Sequence, residues 1–145
     1  MFPLPQLIEP LFVNAGWKPG SEEVDESNLM SAQRIVTEIL KHFGGLRVGQ
    51  SGAGTEQVAS DVSFYSSHRP EVSALVLPWK PQVGECAAFG TAHNDHMILF
   101  VNDTGTYFVF TDPDERLYQL HGSFGEAMQT LLWGYSYGVP LSRVA

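Results

Sequence analysis

Cys86 is the lone cysteine among 145 residues, so no disulfide can form within the chain, and nothing in it is adapted to an oxidising compartment. Positive charge is scarce as well. Eight lysines and arginines face sixteen aspartates and glutamates, a formal charge of −8. That balance argues against nucleic acid or an anionic membrane as the main partner, since both attract dense lysine and arginine, and leaves a basic macromolecule as the better electrostatic match. No apolar run approaches the ~20 residues of a membrane helix. Met1 to Phe12 lacks a basic n-region and contains Pro3, Pro5, Glu9 and Pro10, which does not fit a signal peptide, so a cytoplasmic protein is expected. Internal repeats and low-complexity segments are absent from the sequence.

What is present is the composition of a folded domain. Apolar residues make up 43% and charged residues 17%, and a chain of this length buries roughly 68–70% of the surface it would expose unfolded. Residues 1–145 are therefore read as one domain. Leu4, Leu7, Ile8, Leu11, Phe12 and Ala15 fall on one helical stripe, which predicts a helix over about 4–15. Pro10 interrupts that stripe and predicts either a kink or a later start. Gly16 and then Pro19-Gly20 stop the helix, with Trp17 folding back as an apolar plug.

After the acidic connector Ser21 to Glu26, a second helix is predicted over about 29–43. Ala32, Ile35, Val36, Ile39, Leu40 and Phe43 keep the period, and Val36, Ile39 and Leu40 are expected to be buried. Lys41 and His42 suit its C-terminal dipole, and Gly44 lies past its end. From Leu46 the period changes to two. Val58 to Phe64, Leu75-Val76-Leu77, Ala87-Ala88-Phe89, Met97 to Val101, Thr106 to Phe110 and Leu117 to Leu120 are strand candidates, and Asn102-Asp103-Thr104-Gly105 suits a hairpin turn with Gly105 left-handed. Ser123 and Glu126 make a capping box for a last helix over about 123–133, ended by Gly134. Helices first, a block of strands and a closing helix describe an α+β domain whose helices pack on a mostly antiparallel sheet.

Several motifs touch on chemistry without completing a site. Asp103-Thr104-Gly105 spells the aspartic-protease triplet, but it occurs once and at a position where backbone geometry alone asks for Asp and Gly. Gly49-Gln50-Ser51-Gly52-Ala53-Gly54 has the glycines of a phosphate loop but neither the following helix nor a lysine. No serine sits in a Gly-x-Ser-x-Gly elbow, and a small buried thiol is the default reading of Cys86. No cofactor-binding motif is legible.

Antiparallel pairing back from the 102–105 turn sets residue 95 within about one position of residue 112. His93, Asp95 and His96 are thereby predicted to lie beside Asp112, Asp114 and Glu115. Such a cluster could hold zinc or manganese in a small metal-dependent hydrolase built on His93, His96 and Asp112, and its plainer reading is a solvated polar loop. Trp17 and Trp133, at helix ends, are expected to pack inside. Trp79, between Pro78 and Lys80-Pro81, is expected to be exposed and is a candidate interface residue.

In order and spacing, these elements resemble the third subfamily of the SUKH superfamily, of the SMI/KNR-like fold, whose members are bacterial immunity proteins. The residues that carry the resemblance are Ala15-Gly16-Trp17-Lys18-Pro19-Gly20 with Val24-Asp25, Phe43-Gly44-Gly45-Leu46, Ala88-Phe89-Gly90, Asn102 to Gly105, and Phe124 to Met128, between about Leu11 and Gly134. The chain departs from the family pattern at Ser21, where the pattern has arginine, and at Ala88, where it has proline. The resemblance implies an α+β domain that binds and neutralises a toxin, often a nuclease or deaminase, and it implies no catalytic residues. A cognate toxin with a basic face is then the expected partner. Glu22, Glu23, Asp25, Glu26, Trp79, Asp95, Asp112, Asp114 and Glu115 are the candidate partner-binding residues. A scaffold of the same fold with no toxin is a further reading.

Overall fold

The computed structural model describes residues 2–18, 31–54 and 59–143. Its centre is a sheet of six strands, β1 (Arg47–Val48), β2 (Val62–Phe64), β3 (Cys86–Ala92), β4 (Met97–Asn102), β5 (Tyr107–Thr111) and β6 (Arg116–Leu120), each antiparallel to the next and lying in chain order. Apolar side chains leave the central strands on both faces. Ala87, Phe89, Leu99, Val101, Tyr107 and Val109 point to one layer, and Ala88, Phe100, Phe108 and Phe110 to the other. Double burial is why β3, β4 and β5 read as nearly continuous apolar runs.

The first layer is made of helices α1 (Glu9–Asn14), α2 (Ala32–Phe43) and α4 (Phe124–Trp133). Helix α1 starts later than its apolar stripe. Pro10 occupies its first turn, where the missing N–H would have no intrahelical acceptor, and the chain ahead of it closes a turn in which Ile8 and Glu9 N–H donate to Pro5 C=O. Trp17 folds back as expected, its N–H donating to Phe12 C=O at 3.0 Å and its ring buried against Phe12 and Phe43.

Two groups cap α2. The Ser31 hydroxyl accepts from Arg34 N–H, and the Asp103 carboxylate, from the tip of the β4–β5 hairpin, accepts from Ala32 N–H at 2.8 Å. A carboxylate there also meets the positive end of the helix dipole. At the other end, a Cβ on Gly44 would lie 2.4 Å from Leu40 C=O, so only glycine lets the chain turn sharply into β1. In α4 the Ser123–Glu126 capping box is complete. The next residue but one answers to a neighbour: a Cβ on Gly125 would lie 2.3 Å from Pro3 C=O, and its absence lets the N-terminal segment cross the helix.

The second layer corrects the strand expected at Leu75-Val76-Leu77. Pro70–Trp79 is a 3-10 helix that runs into the short helix α3 (Lys80–Val83). Three apolar residues cannot by themselves tell a strand from a buried helical turn, and Pro70 sits where a helix starts and suits a helical turn. Val76 and Trp79, at i and i+3, are buried in the layer against the sheet with Val72 packed beside them, while Leu75 and Leu77 are exposed.

Leu40 departs from its expected burial. Ile35, Val36, Ile39 and Phe43 form the enclosed stripe of α2, and Leu40 lies half-buried at its margin because the apolar arc of the helix is wider than its contact with the sheet. Ile39→Ala is therefore expected to cost about 2–5 kcal/mol of unfolding free energy. Leu40→Ala should cost only ~1 kcal/mol, and urea denaturation of the two variants side by side reads the difference.

Candidate functional site

The turns that carry the candidate residues lie at one end of the sheet. Ala92 ends β3 and Met97 opens β4, Thr111 ends β5 and Arg116 opens β6, and Met97 pairs with Thr111. Asp112 N–H donates to His96 C=O at 3.1 Å, so the predicted neighbourhood of the 93–96 and 112–115 turns is found within one position.

A residue that sequence reasoning missed shapes this end. Asp61, just ahead of β2, is 1% exposed. Its Oδ1 accepts from Asn94 N–H at 2.8 Å and from the Ser51 hydroxyl at 3.0 Å, and its backbone C=O accepts from His93 N–H. Its Oδ2 lies 3.3 Å from Arg47 Nη2, while the same guanidinium nitrogen donates to Asn94 Oδ1 at 2.9 Å. The Asp61–Arg47 contact is an ion pair rather than an aligned hydrogen bond, since Oδ2 has no hydrogen-bond partner.

Above this node, His93, Asn94 and Asp95 take φ of 52°, 53° and 68°, three consecutive left-handed residues without a glycine. Asn, Asp and His are the side chains most tolerant of that region, and the bonds from Asp61 to the 93 and 94 amides hold them in it. An aspartate before a short strand gives no sequence signal of such a role.

The carboxylates share this end without converging. Asp95 accepts from the Thr91 hydroxyl and Asp114 from that of Thr111, each at 2.6 Å. Arg116 lies 3.7 Å from Asp114, and Arg143 lies 3.6 Å from Glu115. Asp95 and Asp112 are exposed and form no salt bridge among the described residues. The His93 and His96 rings stand 6.3 Å apart at 54°. Among the described residues no three His, Cys, Asp or Glu side chains are placed to hold a metal, so the cluster imagined for a hydrolase is not assembled. Glu22, Glu23, Asp25 and Glu26 lie outside the described residues.

Trp79 is buried where an exposed side chain was expected. Its ring meets Phe110 edge-on at 6.0 Å, its indole N–H donates to Leu141 C=O at 3.1 Å, and Arg143 lies over it at 5.1 Å. The prolines beside it fold the 3-10 helix down onto the sheet instead of presenting the ring to solvent. Trp133, expected inside, is 37% exposed, with its indole N–H donating to Leu7 C=O.

The remaining motifs take structural parts. Asp103 caps α2, as described. The glycine loop 49–54 walls an open cleft of about 860 Å³ shared with α1 and Trp133, and Gly52 bridges to Ala59 where a phosphate loop would lead into a helix. Burial pushes the Cys86 thiol up to about 12, with Asp103 and Glu85 adding to the effect.

An antiparallel meander covered on both faces, with its polar turns gathered at one end, defines a small α+β domain. The model of the SUKH-3 immunity protein family matches residues 4–134, and the chain belongs to that family. Comparison with curated proteins and with solved structures yields no match. No helix among the described residues is long and apolar enough to cross a membrane.

Two predictions follow from this geometry. Asp61→Ala removes the acceptor of two donors and is expected to cost about 1–3 kcal/mol, and exchange of the Asn94 amide should speed up at least about tenfold beyond the global change. Hydrogen exchange followed by NMR reads both effects. The Cys86 thiol should react with a disulfide reagent at pH 8 at least ~100-fold more slowly in the native protein than in urea, as expected for a thiol held protonated by burial.

Proposed function

We propose that this protein is an immunity factor that binds a cognate toxin of the nuclease or deaminase class and blocks it by occupying its surface, without catalysis of its own. The family match over residues 4–134 is the observation that carries this reading. A toxin acting on nucleic acid needs a basic groove, and a chain of net charge −8 is suited to cover one. Asp95 and Asp112 are the contact residues proposed at the sheet end, since both are exposed and carry charge that no arginine or lysine of the described chain pairs with in a salt bridge. Asp114 and Glu115 flank them, and Glu22, Glu23, Asp25 and Glu26 form the second acidic stretch proposed for the interface.

Charge at such a rim acts mainly on the encounter rate. Co-expression with the toxin encoded beside it should restore growth, and purified toxin should associate with the wild-type chain at a rate that falls as salt rises. Asp95→Lys with Asp112→Lys should lower the association rate at least about tenfold at low salt and flatten its salt dependence, leaving dissociation nearly unchanged. Stopped-flow association over a salt series measures this. Wild-type rates in the charge-reversed variants at both acidic stretches, with folding intact, would remove acidic complementarity as the mechanism.

A further inference from the structure

The last strand of the sheet is closed by the chain's own tail. Backbone groups of Glu115, Leu117 and Gln119 face away from β5, and an outer strand edge of this kind is a template for pairing unless something covers it. Leu141 N–H donates to Leu117 C=O at 2.8 Å, the bond that a further strand would make. Two residues on, Arg143 Nη2 donates to Glu115 C=O at 3.0 Å and lies 3.6 Å from the Glu115 carboxylate.

The side chains of the tail are read as closely as its backbone. Leu141 packs into the apolar layer formed by Trp79, Phe108 and Leu117, and its C=O accepts the Trp79 indole N–H. The Gln82 side chain donates to Ser142 C=O, and the Arg143 guanidinium covers the Trp79 ring at 5.1 Å. The tail walls an open recess together with Trp79 and residues 114–116, and Gly138 and the exposed Val139 join it to the rest of the chain. Among the described residues, Leu117, Trp79, Gln82 and Glu115 hold it at Leu141, Ser142 and Arg143.

We propose that the β6 edge and the Trp79 indole form a groove for an extended segment of the pattern Leu-x-Arg, filled in cis by Leu141 to Arg143 and filled in trans by a partner's segment when that tail lifts. The occupant is argued from the fit on the page: an apolar pocket for the leucine, an acceptor on the strand edge for its N–H, and an indole face with a carboxylate for the arginine. Strand addition at a free edge, with alternate side chains seated in pockets, is an established mode of peptide recognition. A tail tethered this closely acts at an effective concentration on the order of millimolar, so it excludes weak segments and yields only to those that seat better or arrive already held elsewhere on the protein.

The test uses no toxin, so its failure would leave the immunity reading standing. A fluorescent peptide spanning Gly138 to Arg143 is titrated against the full-length wild-type chain and the full-length Leu141→Asp variant, with binding read by anisotropy. The variant, its own tail displaced, should bind the peptide at least tenfold more tightly than the wild type. Adding Glu115→Lys to the variant should undo the gain at least tenfold. No binding to a Leu141→Asp protein that keeps its native circular dichroism would overturn the proposal. Should that variant fail to fold, the wild-type chain decides. Millimolar peptide must move the Trp79 indole N–H resonance and spare that of Trp17, and an unmoved Trp79 resonance overturns the groove.

Discussion

Phe43 is the contact on which the helical layer depends. Its ring stacks on Phe124 at 5.1 Å and 8°, and it meets Phe12 at 5.2 Å, Phe64 at 5.4 Å, Trp17 at 6.1 Å and Phe2 at 6.3 Å. One side chain at the end of α2 thus joins the N-terminal segment, α1, β2 and α4. Aromatic pairs at such distances add to the area they bury, and removing the hub would leave several rings without a neighbour at once. Three family signatures meet here as well: Phe43 from the second touches both Trp17 from the first and Phe124 from the last. They describe how the layer closes, and for that reason they are silent about the partner.

The polar end of the sheet is organised on the opposite plan. The 93–96 and 112–115 turns are held through the Asp61 and His96–Asp112 backbone bonds and through side-chain bonds of Asn94, Asp95, Asp114 and Glu115, while the carboxylates of Asp95 and Asp112 stay exposed. A rigid base with exposed carboxylates is what a binding surface needs if its residues are to meet a partner already ordered. The core motifs and the proposed contact residues therefore occupy separate regions of the fold.

Most of the architecture was legible in the sequence wherever one pattern dominated. Helix α2 showed an unbroken period, α4 a complete capping box, and the hairpin a turn whose geometry asks for Gly105, so these elements and the register beyond them follow from local chemistry. Legibility failed where tertiary contacts decide. The segment at Leu75 to Leu77 is helical where it packs Val76 and Trp79 onto the face of the sheet, a contact the local pattern does not reveal. Trp79 is covered by a tail some sixty residues further on, and Leu40 is half-buried because it packs only at the margin of the core. At the site, the neighbourhood of the two turns was readable from pairing alone. The Asp61 node was not, because a buried carboxylate is recognised only by the donors that fold onto it.

The left-handed turn at His93, Asn94 and Asp95 sets a limit on how this surface can change. With its backbone held from below, a substitution there has to tolerate positive φ, which favours Asn, Asp, His and Gly. Exchanges within that set alter charge by about one unit and leave the loop's path intact. The turn thus works as a dial with few settings, on which a lineage could follow a drifting partner by small electrostatic steps without reopening the fold.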